Sequence, residues 1–161
     1  MSARLAVNTM AVTSSKRKTP PEIIGGAHAY SHIPAQRKGT VTQPLTLSVD
    51  AMGGDNAPDM VVEGIEFSLA RMHHAKFLLF GDEAKLAPLL DNHPKAAAVV
   101  EIRHTDEAIT NDQKASTALR GGRNTSMRLA IDAVKSGEAA GVISAGNTGA
   151  LMAMAKFVLK T

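Results

Sequence analysis

The sequence predicts an α/β fold, a doubly wound parallel sheet flanked by helices, on three observations. Short apolar runs alternate with stretches of helical periodicity from Leu45 onward. The connections between them are short, and small residues, glycines and helix caps mark the passages from strand to helix. Parallel neighbours require crossover units, and right-handed ones dominate, so such an alternation builds one sheet with helices on its faces.

Leu45–Asp50, LTLSVD, is a short apolar run ending in an acid and reads as a buried strand. The loop AMGGDNAP follows at once. Pro58 suits the first helical position behind the cap candidates Asp55 and Asn56, and Met60, Val61, Ile65, Leu69 and Met72 recur at helical spacing. A helix is predicted from about Asp59 to His73. Phe77–Gly81 is a second strand, Asp82 a helix cap, and Leu86, Leu89 and Leu90 line one face before His93 and Pro94 stop the helix. Val99–Arg103 is a third strand. After a polar stretch, Asn124 or Thr125 caps a helix bearing Met127, Leu129, Ile131, Ala133 and Val134, which closes at Gly137. Ala140–Gly146 supplies a fourth strand with its turn, and Gly149–Lys160 a final helix.

Charge is unevenly distributed. Residues 1–44 hold six basic side chains (Arg4, Lys16, Arg17, Lys18, Arg37, Lys38) against Glu22, leaving 12 of the 18 basic and 14 of the 15 acidic residues in the rest. The net charge of +3 thus belongs to the tail, and the balance does not make the folded part a binder of nucleic acid. Pro20, Pro21, Pro34 and Pro44 break any period there, so 1–44 reads as a disordered basic tail and 45–161 as the folded domain. A basic, acid-poor start also fits a transit peptide, but the prolines spoil a long amphipathic helix. With no cysteine there is no disulfide framework and no thiolate metal site, which fits a reducing compartment. No apolar run approaches the roughly 20 residues that span a bilayer.

Ligands of open parallel sheets bind beyond the carboxyl ends of the strands, and two loops stand out there. Ser144, Ala145, Gly146, Asn147, Thr148 and Gly149 join a strand directly to a helix. Small residues let the backbone approach an anion, free N–H groups and the helix dipole favour it, and Ser144, Asn147 and Thr148 add side-chain donors. A capped turn without ligand is the competing reading. The loop is neither a Walker motif nor a dinucleotide fingerprint. In the second loop Gly53 and Gly54 permit close backbone approach beside Asp50 and Asp55, and Asp50 is placed to orient a cation or basic side chain. Asp55 or Asn56 acting as a plain cap is the alternative. Between the third strand and its helix, Asp112–Ser126 gathers Lys114, Thr117, Arg120, Arg123, Thr125 and Ser126 beside Gly121 and Gly122, side chains suited to anions or to a solvated loop. His73 and His74 point to different sides of a helix and make a poor metal pair. The methionines read as packing, with acyl binding by such flexible side chains as the alternative.

LSVDAMGGD (Leu47–Asp55), ALR (Ala118–Arg120) with TSM (Thr125–Met127), and SAGNTGALMA (Ser144–Ala153) together resemble the N-terminal half of the phosphate acyltransferase family of bacterial phospholipid synthesis. The segments stand in that family's order over essentially all of 45–161. The resemblance implies formation of acyl phosphate from acyl-acyl carrier protein and inorganic phosphate; no cofactor is expected, and no residue is assigned to a metal. It further implies a fold like the isocitrate and isopropylmalate dehydrogenases, a cytoplasmic homodimer with loose membrane association, and a chain continuing roughly as long again. The final helix meeting Thr161 without a cap adds to an expectation of truncation. Two departures are Ala115 after Lys114, where the family commonly has proline, and the basic tail.

For that reaction Asp50, orienting a basic partner, and Lys114 and Arg120, balancing charge, are the expected catalytic residues. Gly53, Gly54, Asp55, Ser126, Ser144, Gly146, Asn147, Thr148 and Gly149 are the expected phosphate and substrate residues. Phosphate is already an anionic nucleophile and a carrier thiolate leaves readily, so position and charge are what a protein must add. The competing expectations are an inactive fragment of that enzyme and a related phosphate-handling enzyme using acyl-coenzyme A.

Overall fold

The structure, a computed structural model, describes residues 10–12 and 44–160. Its strands are β1 (Met10–Val12), β2 (Thr46–Asp50), β3 (Lys76–Gly81), β4 (Val100–His104) and β5 (Gly141–Ser144). The helices are α1 (Asp59–Ser68), α2 (Glu83–Asn92), α3 (Pro94–Ala97), α4 (Ala115–Gly121), α5 (Ser126–Ser136) and α6 (Thr148–Leu159). The sheet runs in the order β1-β5-β2-β3-β4, and the four strands from β5 to β4 are mutually parallel. The expected α/β architecture is therefore present.

β3 lies in the middle of the parallel strands, and Phe77 through Gly81 are all buried, the pattern of a strand covered on both faces. Strand alternation sends Phe77 and Leu79 toward Val62 and Ile65 of α1, Leu86 and Leu90 of α2, and Ala96 of α3. Leu78 and Phe80 point the other way, into a second core with Ala130, Ile131 and Val134 of α5 and Leu151, Met154 and Val158 of α6. On β2 the residue facing this second layer is Ser48, whose Oγ donates to the carbonyl of Ala130 at 2.7 Å. A small hydroxyl with a partner lets α5 lie close to the strand without leaving a buried donor unsatisfied.

The caps follow the sequence in most places. Asp82 accepts from the Ala84 N–H at 3.0 Å, and Gly137 closes α5 at φ 85. Pro94 ends α2 as expected but also opens α3, where its missing N–H costs nothing. α1 stops at Ser68 rather than near His73, with the Ser68 Oγ turned back onto the Ile65 carbonyl at 2.7 Å. Pro58, expected inside α1, takes its N-cap position, and neither Asp55 nor Asn56 caps that helix. α6 ends on Lys160 in the left-handed conformation, with the Lys160 N–H bonded to the Lys156 carbonyl, so this helix does have a C-cap.

Of the stretch expected to be a tail, only Met10–Val12 and Pro44 belong to the described residues; the rest of that expectation lies outside them. Met10–Val12 run antiparallel to β5, pairing Met10 with Ser144 and Val12 with Val142. Three residues carry too little periodicity to announce a strand.

The order of connections decides where a ligand could sit. From β2 the chain winds outward through β3 to β4, then returns across the sheet to place β5 on the other side of β2. β2 and β5 therefore flank the topological switch point, and the crevice beyond their carboxyl ends is the expected binding position. Among the described residues no helix is long and apolar enough to cross a membrane.

Leu79, fully buried at the centre of β3, should be among the least replaceable side chains. Leu79→Ala is expected to cost about 2–5 kcal/mol in urea unfolding, whereas Leu45→Ala, at a position 44% exposed, should cost under about 1 kcal/mol.

Candidate functional site

Asp50 is the last residue of β2 and is 2% exposed. Its Oδ1 accepts from the Ser126 hydroxyl at 2.6 Å, and its Oδ2 from the Ser144 hydroxyl at 2.7 Å. The Met52 N–H approaches Oδ1 at 3.4 Å. Ser126 opens α5 and Ser144 ends β5, so one carboxylate ties the ends of both switch-point strands to a helix start. No lysine or arginine among the described residues forms an ion pair with it. The expected basic partner is thus replaced by neutral donors. Burial pushes the Asp50 carboxyl above its ordinary range, and the two serine hydroxyls and the Met52 N–H only partly offset that.

The glycines explain how the loops fit around this carboxylate. A Cβ on Gly53 would stand 2.5 Å from Asp50 Oδ2 and 2.9 Å from the Gly146 nitrogen. Gly54, at φ +111, turns the chain where a side chain would press on the Ala145 carbonyl. The loops after β2 and β5 therefore meet backbone to backbone. The Gly146 N–H donates to Ser144 Oγ at 3.1 Å, so this amide serves the turn itself.

Asn147 is the N-cap of α6, its Oδ1 accepting from the Ala150 N–H at 3.0 Å. Its Nδ2 faces three carbonyls, of Gln113 at 2.8 Å, Asn111 at 3.1 Å and Thr110 at 3.2 Å. The side chain expected to donate to an anion is committed instead to holding the 105–114 connection over the switch point. Asn111 extends the same bracing, donating to Asp55 at 2.5 Å. Nothing in the spacing of Thr110, Asn111 and Gln113 marks them, because their role depends on a long-range approach to α6.

Beyond the braced turn lies a group of uncommitted donors. Thr148 and Gly149 are exposed in the first turn of α6, and no described group accepts from their N–H groups. A Cβ on Gly149 would lie 3.8 Å from that of Ala115, so the first turns of α4 and α6 stand side by side. Lys114 is the exposed N-cap residue of α4, and Ser116 is exposed one step into that helix. Adjacent helix starts, hydroxyls and one lysine form an environment that favours an anion over a cation or an apolar group. Ser116 and the helical form of 115–121 were both missed in the sequence; Ala115, Ala118 and Leu119 carry the helical spacing that announces them. Arg120 belongs to the last turn of α4, about 8 Å along its axis from Ala115, and does not join this group.

A family model described as "Fatty acid synthesis protein" matches residues 45–161. The chain belongs to that family. Over 121 residues it is 58% identical to the phosphate acyltransferase of Rhodospirillum centenum, covering 75% of this chain and 34% of that protein. The corresponding figures for the phosphate acyltransferase of Rhodospirillum rubrum are 55%, with 75% and 35% covered. For that of Paramagnetospirillum magneticum they are 53% over 116 residues, with 72% and 33% covered. The chain thus spans about a third of the length of these relatives, not the half expected from its motifs.

Two outcomes follow for the Asp50 cluster. The folded state holds the Asp50 proton more tightly than the unfolded chain does, whose carboxyl titrates near 3.8. Its contribution to stability is therefore fully present below that value and is lost as pH rises through the raised folded value. In urea unfolding at a series of pH values, the stability of the wild type relative to Asp50→Asn should accordingly fall with rising pH. Gly53→Ala should cost about 1–3 kcal/mol at any pH, since the added methyl overlaps the carboxylate and the facing backbone.

Proposed function

We propose that this chain forms one part of an acyltransferase that makes acyl phosphate from acyl-acyl carrier protein and inorganic phosphate, for phospholipid synthesis. The observation that carries the proposal is the pair of adjacent helix starts at Ala115 and Thr148, with Lys114 the exposed N-cap residue of the first and the Thr148 and Gly149 amides without an acceptor among the described residues. The printed names of the relatives supply the acyl and phosphate chemistry.

In the proposed reaction a phosphate oxygen forms a bond to the thioester carbonyl carbon, the carbon–sulfur bond breaks, and the thiolate leaves with its electron pair. A phosphate dianion needs no general base, and the thiolate needs no general acid. The protein's task is to hold two anions, phosphate and the developing oxyanion, close together. In this reading Lys114, Thr148 and Gly149 hold phosphate, while Asp50, Ser126, Ser144 and Asn147 position the turn that presents them. Gly53, Gly54 and Gly146 let the two loops close, and Asp55 braces them through Asn111. Arg120 is assigned to the charged surface that receives the carrier protein. The resemblance adds a cytoplasmic setting, a second copy as partner and a peripheral membrane contact to the same proposal.

Titration calorimetry with inorganic phosphate tests the seat directly. The chain is expected to bind phosphate, and Lys114→Ala to weaken that binding about tenfold, the worth of one charge-assisted hydrogen bond. Arg120→Ala should leave it within about twofold, being outside the seat. Equal effects of the two substitutions would defeat the assignment. Acyl phosphate formation is to be assayed with the chain joined to the remaining two thirds of the Rhodospirillum centenum relative. A chimera that unfolds cooperatively yet yields no acyl phosphate would refute the reaction.

A further inference from the structure

Among the described residues, no helix lies over β5 on the face of the sheet carrying α1. A groove of about 590 Å³ runs there between α1 and the strand, within the usual size of small-ligand sites. Its walls are largely apolar, with Met60, Gly64 and Phe67 of α1 and Met72 beyond its end on one side and Ile143 on the strand side. Phe67 is 79% exposed, which is unusual for a side chain of that size. Among the described residues neither lysine nor arginine lines the groove, and Glu63 is an exposed acid on its lining. The groove ends at Asp50, Ser144 and Ala145, in the same turn whose continuation presents the amides of Thr148 and Gly149.

We propose that this groove holds the aliphatic chain of the acyl substrate, with Gly64 setting the length or bulk accepted. The inference rests on the phosphate reading above and deepens it. The acyl carbonyl must meet phosphate at the switch point, and the groove is the apolar channel that opens there. Met60 to Ser68 covers about 12 Å of helical rise, and Met72 extends the wall beyond the helix end, so the channel can take an extended hydrocarbon. Methionine walls conform to a flexible chain better than branched side chains do. Gly64 is the informative position. It lies in the middle of α1, exposed, and a Cβ there would meet nothing within 4 Å. A side chain at this point can therefore start from the channel wall with its Cβ free of contacts, and it also removes the penalty of glycine within a helix.

The test is calorimetric titration of the 161-residue chain with methylphosphonate, octylphosphonate and hexadecylphosphonate, for wild type, Gly64→Ala and Gly64→Leu. Wild-type affinity is expected to rise about two- to fourfold for each methylene that enters the channel. Gly64→Leu should weaken hexadecylphosphonate binding about tenfold or more, leave methylphosphonate unchanged, and unfold at an equal or higher urea concentration; Gly64→Ala should be intermediate. Affinity independent of chain length, absence of long-chain binding, or indifference to Gly64→Leu overturns the groove assignment. If methylphosphonate still binds in that case, the phosphate reading survives. Chain-length-dependent binding in a wild type that takes neither methylphosphonate nor inorganic phosphate supports the groove and strikes the phosphate reading instead. Sedimentation of the same proteins separates one further occupant. Self-association of the wild type that Gly64→Leu abolishes, with alkyl binding unaffected, makes the groove an interface between copies and overturns the proposal.

Discussion

The rest of the structure around the switch point depends on one buried carboxylate. Asp50 sits where β2 ends, and its two oxygens hold Ser126 at the start of α5 and Ser144 at the end of β5. A charge placed away from water without a cation is costly, and short hydroxyl donors compensate only while their geometry is kept. That requirement is what aligns three separate elements to within hydrogen-bonding tolerance. Hydrophobic packing alone could not do so, because it is nearly indifferent to small slides along a strand.

Around this centre the bracing is polar and the covering small. Asn147 reaches three carbonyls of the 105–114 connection, Asn111 reaches Asp55, and Gly53 lies against Gly146 with no side chain between them. The result is a division of labour on either side of the β5–α6 turn. Toward α4 the surface offers amides, hydroxyls and a lysine; toward α1 it offers hydrocarbon. In the proposed reaction phosphate would meet the first environment and the acyl chain the second, and the acyl phosphate product would span both.

Much of this architecture was legible in the residues. The strands from β2 to β5 announce themselves through apolar runs, and Asp82 and Gly137 fix helix ends because capping is a local interaction. Asp50, Gly53, Ser144 and Gly146 stood out because small and acidic residues at strand exits have few purely structural explanations. What escaped the sequence was long-range or short. Asp50 was expected to face a basic group, and only the crossover of β5 beside β2 reveals that serines surround it. α4 was hidden by polar neighbours that read as a loop, β1 by its three-residue length, and the commitment of Asn147 by partners more than thirty positions away.

Among the described residues β4 lies at the border of the sheet opposite β1. Its alternation puts Val100 and Ile102 inside and leaves Glu101 and Arg103 exposed, joined by an ion pair at 2.8 Å. An incoming strand from another molecule would have to strip water from both charges before it could bond to the open backbone. The border thus discourages indefinite lateral stacking, and a sheet whose buried apolar strand side chains are Val, Leu and Phe is protected from fibril-like growth on that side by two residues that contribute little to its core.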